Sequence, residues 1–317
     1  MKGLSGEETL DPRGSDFAAQ PFDLDAYTEA ERGPIEAALA RAVERWSRHL
    51  PETVAAAVGH GVFGGGKRLR PLLCVTAYRA AGGTGEGVYD LAASLEMVHA
   101  YSLMHDDLPC MDDAPLRRGR PTTHRVHGEG ATVLAGAALI PLAALQVLSA
   151  ARVLGLAGEA AARLAGELCR AAGAGGMVGG QALDLLAEGE RLSAPELDRL
   201  HRLKTGALLT ASLRMGALAA GAPDTLLDGL EAYGRAIGLA FQIADDLLDA
   251  TASAEELGKH PSDNALGKST YVAVHGLAEA RRRARDEVVR AHAALLEAGI
   301  EAPALHALAD FVVTRAR

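Results

Sequence analysis

The amino-acid sequence predicts an all-α protein folded as one domain, and three observations carry that prediction. Nearly every long segment of the 317-residue chain is rich in Ala, Leu, Glu and Arg, with apolar residues recurring at spacings of three and four. No alternating β-branched run of useful length occurs, and no Pro/Ser-rich linker divides the chain. Hydrophobic residues make up 49% and charged residues 23%, which is enough to bury a large core and too apolar for a disordered chain. The domain is placed at 23–317. It follows a polar, acidic extension over 1–22 that lacks a signal peptide's apolar core and is expected to be flexible.

Taken in order, DLDAYTEAERGPIEAALARAVERWSRHL reads as a first amphipathic helix, broken near Gly33-Pro34. PETVAAAVGHGVF is a second, closed by Gly64-Gly65-Gly66, and LLCVTAYRAAGG is a third that stops at its glycines. VYDLAASLEMVHAYSLMHDDL is long and mostly apolar. The stretch from Gly130 to Ala151 carries no charge and is long enough to span a bilayer. It is dominated by Ala and Gly, however, and interrupted by Pro141, Gln146 and Ser149, so it is read as buried core rather than a membrane span. Ser193-Ala-Pro-Glu196 supplies a capping box and a first-turn proline, opening a helix through RLHRLKTGALLTASLRMGALAA. TLLDGLEAYGRAIGLAFQIADDLLDA follows, and helical segments near 271–296 and 303–314 close the chain.

Composition excludes several function classes. A net charge of −9 with 4% aromatics argues against a nucleic-acid binder, which presents basic surface and stacking rings. The 36 glycines follow no triplet period, so collagen is excluded. Cys74, Cys110 and Cys169 are too widely spaced for a metal or disulfide framework, which points to a reducing cytoplasm.

Two acidic clusters sit where apolar helices end. The first is His105-Asp106-Asp107-Leu-Pro-Cys-Met-Asp112-Asp113; the second is Asp245-Asp246-Leu-Leu-Asp249, preceded by Phe241-Gln242. In the second, spacings of three and four place all three acids on nearly one helix face, where like charges repel unless a cation intervenes. In the first, Asp112 lies roughly 240° round an ideal helix from Asp106, but Pro109 should loosen the helix and let Asp112 swing back. One such cluster reads as a solvated helix end; two on the rims of apolar helices favour a divalent cation, which Mg2+ meets with one or two carboxylates plus phosphate oxygens and water. Cations are grouped as well, in GGGKRLRP (Lys67, Arg68, Arg70) and LRRGRP (Arg117, Arg118, Arg120), with Lys204-Thr205 and Lys259 further on. Acids and cations side by side suit a diphosphate bridged by metal and gripped by Arg and Lys. No G-x-x-x-x-G-K-[ST] loop is present, so ordinary nucleotide hydrolysis has little support.

The ordered set GGGKRLRP, HDDLPCMDD with LRRGRPTTH, GGQALDL, LKTG, FQIADDLLD and LGKSTY, over roughly residues 25 to 317, resembles the trans-isoprenyl diphosphate synthases, and most nearly their bacterial farnesyl diphosphate synthase branch, which shares the Pro-Cys insertion in the first acidic motif. The resemblance implies the isoprenoid synthase fold, antiparallel helices around a central cavity, as a cytoplasmic homodimer. It implies Mg2+-dependent head-to-tail condensation of isopentenyl diphosphate with an allylic diphosphate, dimethylallyl or geranyl, giving farnesyl diphosphate, with three ions present when substrate is bound. Metal would sit on Asp106, Asp107 and Asp112 on one wall and on Asp245, supported by Asp246 and Asp249, on the other. Arg117, Lys204, Thr205, Gln242 and Lys259 would contact the allylic diphosphate, and Lys67, Arg70, His99 and Arg118 the isopentenyl diphosphate. Asp106, Asp107, Asp112, Asp245, Lys204 and Arg117 form the expected catalytic set. Gln181 and Asp184 would line the cavity, Arg315 and Arg317 would close a C-terminal flap, and His105 is read as a core or surface residue rather than a ligand. No protein nucleophile is required, in keeping with the lack of a Ser-His-Asp or Cys-His arrangement. The chain departs from its nearest relatives at Ala114-Pro115, where they often carry more acids; the metal-binding three are intact.

Product length is expected to be set five residues upstream of Asp106, about 7.5 Å down the helix, where Tyr101 would form a floor with Ser102 beside it. Three alternatives remain: a geranylgeranyl diphosphate synthase, a class I terpene cyclase, and a non-catalytic partner subunit. The cyclase would leave GGGKRLRP and Arg118 without a second diphosphate to hold, and the subunit would be expected to have lost acids that are present here.

Overall fold

The computed structural model describes residues 22–251 and 269–314. Fourteen helices appear among them, with one minimal hairpin. The helix α1 (Leu24–Ser47) is capped by the Asp23 carboxylate, which accepts the Ala26 N–H at 2.9 Å. It runs unbroken through Pro34, contrary to the expected break. Ile35, Ala38, Leu39, Ala42 and Val43 are buried along one face just after the proline, and their burial outweighs the missing backbone hydrogen bond. Then come α2 (Glu52–Val62), α3 (Leu69–Ala80) and α4 (Gly87–Asp106). The strands β1 (Leu116–Arg117) and β2 (Arg120–Pro121) pair antiparallel, Arg117 opposite Arg120. They are followed by α5 (Thr123–His127), α6 (Glu129–Val153), α7 (Glu159–Ala172), α8 (Met177–Leu186) and α9 (Ala194–His201). A π-helical turn over Arg202–Gly206 joins α9 to α10 (Ala207–Ala219). The chain continues as α11 (Asp224–Thr251), α12 (Tyr271–His275), α13 (Leu277–Glu297) and α14 (Pro303–Thr314). Gly276, at φ +78°, divides α12 from α13 in a conformation that only glycine adopts cheaply.

Helices α3 and α4 lie at the centre: Pro71 to Tyr78 and Leu91 to Val98 are buried without interruption. Around them pack α1, α6 and α10, and α10 in turn packs on α7 and α11. A smaller apolar cluster of Leu197, Leu239, Ile243, Tyr271, Ala280 and Ala284 joins α9, α11, α12 and α13 beneath the second acidic cluster. The charge-free stretch of α6, expected to be buried core, is buried on one face only. Ala135, Leu139, Ala143, Val147 and Ala150 pack inward, while Leu134, Ile140, Leu145 and Leu148 are exposed. It is the one helix among the described residues long and apolar enough to cross a membrane by length and composition.

Candidate active site

The first acidic cluster takes its shape from the end of α4. The helix stops at Asp106, and the chain turns back on itself: the Asp112 N–H donates to the Asp106 carbonyl at 2.9 Å, and the Met111 and Asp113 N–H groups donate to the Leu108 carbonyl. Asp112 therefore lies against Asp106, as the loosening at Pro109 requires. Burial pushes the Asp106 carboxyl up to about 6, with Asp112 raising it further and Lys204 pulling it down. Asp107 is 3% exposed and gripped by Arg117, whose Nε donates to both carboxylate oxygens at 2.9 and 3.0 Å.

The cations converge on the same end. Arg117 and Arg118 ride on the β1–β2 hairpin, with Arg118 at φ +53° in its turn. Arg118 Nη1 donates to the Gly65 carbonyl, stitching the hairpin to the glycine-rich turn before α3. Arg70 stands in the first turn of α3, where burial pushes its guanidinium down to about 10 against the opposing pull of Glu96 and Asp245. Its buried Nε has no hydrogen-bond partner among the described residues, and neither has Gln181 Oε1. His99 is held neutral by burial and by Arg70, Arg118, Arg117 and Arg68. Lys67 Nζ lies 5.0 Å from the ring centroid of Phe311 on α14. Arg68 has another job: it is buried in hydrogen bonds to Glu36, Glu96 and the Val62 carbonyl, locking the turn to α1 and α4.

The opposite wall is the π turn. Lys204 Nζ donates to Asp184 at 2.6 Å, and Thr205 Oγ1 donates to Gln242 Oε1 at 2.9 Å. Since Lys204 also acts on Asp106 while Thr205 is tied to α11, this turn connects the two acidic clusters. The extra residue of a π turn rotates side chains out of helical register, which is why such turns recur at functional sites. The periodicity of the sequence showed no sign of it. The available signal was Gly180 in GGQALDL, where a Cβ would stand 2.2 Å from the Lys204 backbone nitrogen. Gly180→Val should accordingly displace the turn and lower catalytic efficiency by about a hundredfold, roughly 3 kcal/mol, in steady-state kinetics, while circular dichroism shows the helices retained.

In the second cluster the acids diverge. Asp245 and Asp249 are partly exposed, whereas Asp246 is 5% exposed and accepts the Tyr271 N–H at 2.7 Å. The single shared face expected from spacing is thus corrected, because Asp246 is turned about 100° from Asp245, towards α9 and α12. There His201 is buried and pushed down to about 3 by desolvation. His201 and His99 are both neutral in the fold but bind protons near 6.5 once unfolded. Stability should therefore fall as pH drops below about 6.5; Asp106, raised rather than lowered, opposes this only between about 6 and the ordinary carboxylate range. Thermal melts at pH 7.5 and pH 5 check the sign, with the lower melting temperature expected at pH 5.

A cavity of about 380 Å³ opens between these walls. Asp106, Lys204, Thr205, Arg70, His99 and Gln181 reach it, and Tyr101 and Ser102 lie along it. Tyr101 is 4% exposed, its hydroxyl 3.4 Å from the Ala172 carbonyl and its ring edge-on to His105. Lys259, Arg315 and Arg317 lie outside the described residues. Among the described residues no three His, Cys, Asp or Glu side chains approach closely enough to hold a metal unaided. The donors are all carboxylates, and Asp106 is destabilised as an anion by its surroundings. Such a set fits a hard divalent cation that completes its shell with water and phosphate oxygens.

Antiparallel helices around such a cavity form the isoprenoid synthase fold, shared by enzymes that handle prenyl diphosphates. Residues 51–298 match the polyprenyl synthetase model, and the chain belongs to that family. It is 44% identical over 283 residues to the farnesyl diphosphate synthase of Escherichia coli, covering 87% of this chain and 94% of that one. An FPP/GFPP synthase from Zymomonas mobilis superposes with a TM-score of 0.80 at 36% identity, over 92% of this chain and 99% of the other. A geranyltransferase from Helicobacter pylori, in complex with magnesium and isoprenyl diphosphate, superposes with a TM-score of 0.74 at 32% identity, over 88% and 95%.

Proposed function

We propose that the chain catalyses Mg2+-dependent head-to-tail condensation of isopentenyl diphosphate with an allylic diphosphate, with farnesyl diphosphate as its main product. The observation that carries the reading is the cavity itself. The Asp106 carboxylate stands with Arg70 and Lys204 at its polar end, unpaired Arg70 Nε and Gln181 Oε1 are buried beside it, and Tyr101 lies in its wall. Asp106, Asp107 and Asp112 would hold metal on one side and the acids of α11 on the other; the metal supplies neutralising charge for the departing diphosphate. Lys204, Thr205 and Arg117 would steady the allylic diphosphate. Arg70, Arg118 and Lys67 would supply the cationic grip on isopentenyl diphosphate, with the neutral His99 offering a hydrogen bond beside Arg70. The allylic C–O bond breaks, with its electron pair leaving on the diphosphate. The alkene electrons of isopentenyl diphosphate form the new C–C bond, and the proton lost from C2 passes to the released diphosphate. The chain's task is to orient both diphosphates and exclude water, which raises the effective concentration of the alkene at the cation. Purified protein supplied with dimethylallyl and radiolabelled isopentenyl diphosphates should form a C15 product only when Mg2+ is present. C20 as the main product would favour geranylgeranyl synthesis, and failure to consume isopentenyl diphosphate would favour a cyclase or partner subunit.

We further propose a cytoplasmic homodimer. The three free cysteines suit a reducing compartment, and the exposed Leu134, Ile140, Leu145 and Leu148 stripe of α6 suits a second copy. Leu134→Asp with Leu145→Asp should convert the dimer to monomer in light scattering coupled to size exclusion.

A further inference from the structure

We infer that His292 on α13 and His306 on α14, with Asp310 beside them, form an acid-sensitive latch: the bond between the two rings tolerates one extra proton and holds the C-terminal helix α14 in place, and a second proton releases it. Release would lift Phe311 from Lys67, and that functional part of the inference rests on the isopentenyl diphosphate reading above.

The two imidazole planes lie within 9° of parallel, with centroids 4.9 Å apart and Nδ1 facing Nδ1 at 2.6 Å. For that nitrogen–nitrogen distance the centroid separation is as large as it can be, so the rings meet edge to edge in one plane rather than face to face. His292 Nε2 points the other way, 2.8 Å from Asp310 Oδ1. A carboxylate only accepts, so this Nε2 carries a hydrogen. With no extra proton, His306 Nδ1–H donates to the His292 Nδ1 lone pair. With one, His292 becomes the imidazolium, donates to His306 Nδ1 and is countered by Asp310. Both states keep the contact. With two, both Nδ1 atoms carry a hydrogen, the bond is lost, and two like charges face one carboxylate. His306 already resists protonation: burial and His292 hold it below the ordinary histidine value, while Asp310 pulls the other way. From α11 comes Tyr233, whose hydroxyl burial and Asp310 keep protonated and which donates to the Leu305 carbonyl at 2.6 Å. Helices α1 and α3 also pack on α14, but among the described residues neither places a charged side chain in contact with the three.

Helix α14 has only 12 residues, too few to persist in water without packing. Ala304, Leu305, Leu308, Ala309 and Val312 supply that packing, and the His292–His306–Asp310 chain ties down its polar side. Phe311, next to Asp310, has its ring centroid 5.0 Å from Lys67 Nζ. Released α14 takes up one more proton than docked α14, so docking should weaken by up to about tenfold per pH unit below about 6.5. Hydrogen exchange on the full chain should show protection factors over 303–314 at least about tenfold lower at pH 5 than at pH 7.5, beyond any change in α10. In His306→Asn, whose amide can donate to His292 Nδ1 or accept from it, the same protection should change less than about threefold. Asp310→Asn removes the counter-charge and should move the loss to higher pH. The KM for isopentenyl diphosphate in the parent, relative to His306→Asn, should rise from about one at pH 7.5 to at least about five at pH 5.5, with the kcat ratio constant. Equal protection at both pH values in the parent, or an equal loss in His306→Asn, overturns the latch. If His306→Asn does not fold, an unshifted loss in Asp310→Asn overturns it instead. A constant KM ratio overturns the link to Lys67. A parent protein that never consumes isopentenyl diphosphate would refute the functional reading, while the exchange result still decides the latch.

Discussion

Asp106→Asn should slow condensation by about a thousandfold or more, equivalent to roughly 4 kcal/mol of lost transition-state stabilisation. Asp106 combines three properties that no other residue at the cavity shares. It ends α4, so its direction is set by a helix buried on nearly all sides. It touches the same cavity as Lys204, Arg70 and Tyr101. Its carboxyl is also pushed up to about 6 by burial and by Asp112, so the anion is held at a cost that a divalent cation would relieve. Asparagine matches the shape and removes the charge, which acts most strongly when the diphosphate departs. The measurement is steady-state kinetics with radiolabelled isopentenyl diphosphate across a Mg2+ titration, with the loss in kcat expected to persist at saturating Mg2+. Recovery of parental kcat at high Mg2+ would mean that Asp106 only recruits metal.

Tyr101→Ala should move the main product from C15 to C20, read by reverse-phase chromatography of the dephosphorylated alcohols. The ring lies along the cavity more than a helical turn below Asp106, and its hydroxyl makes one long contact to the Ala172 carbonyl. Nothing charged is lost with it, so kcat should fall less than about tenfold. Stability should fall by about 3 kcal/mol for the vacated volume. Tyr101→Phe keeps the ring and should keep the C15 product. An unchanged product in the alanine variant would place the floor on the α8 side, at Met177 or Val178, which line the same cavity.

Much of this site was legible in the chain. Acid and base clusters at the ends of apolar helices mark a diphosphate site because their charges would otherwise repel or go unused. The turn at Pro109 followed from proline's missing N–H, and Asp112 does fold back on Asp106. Lys204-Thr205 and Gln242 were assigned together from motif order, and Thr205 is hydrogen-bonded to Gln242.

The remaining features depended on neighbours distant in sequence. Helical periodicity determined where the helices lie, which faces are apolar and where the chain must turn, since those preferences are properties of adjacent residues. It carried no information on whether α1 would continue past Pro34, because that depended on what the later half of the helix buries. Nor did it reveal that α6 would bury one face and leave the other open, that the Lys204 turn would be π-helical, or that Asp246 would point inward while Asp245 and Asp249 do not. Those outcomes were decided by packing: Gly180 brings α8 against the Lys204 backbone, and the buried Tyr271 N–H requires an acceptor, which Asp246 provides. Local propensity selects the elements; steric fit and the pairing of buried polar groups between elements select which side chains reach the cavity.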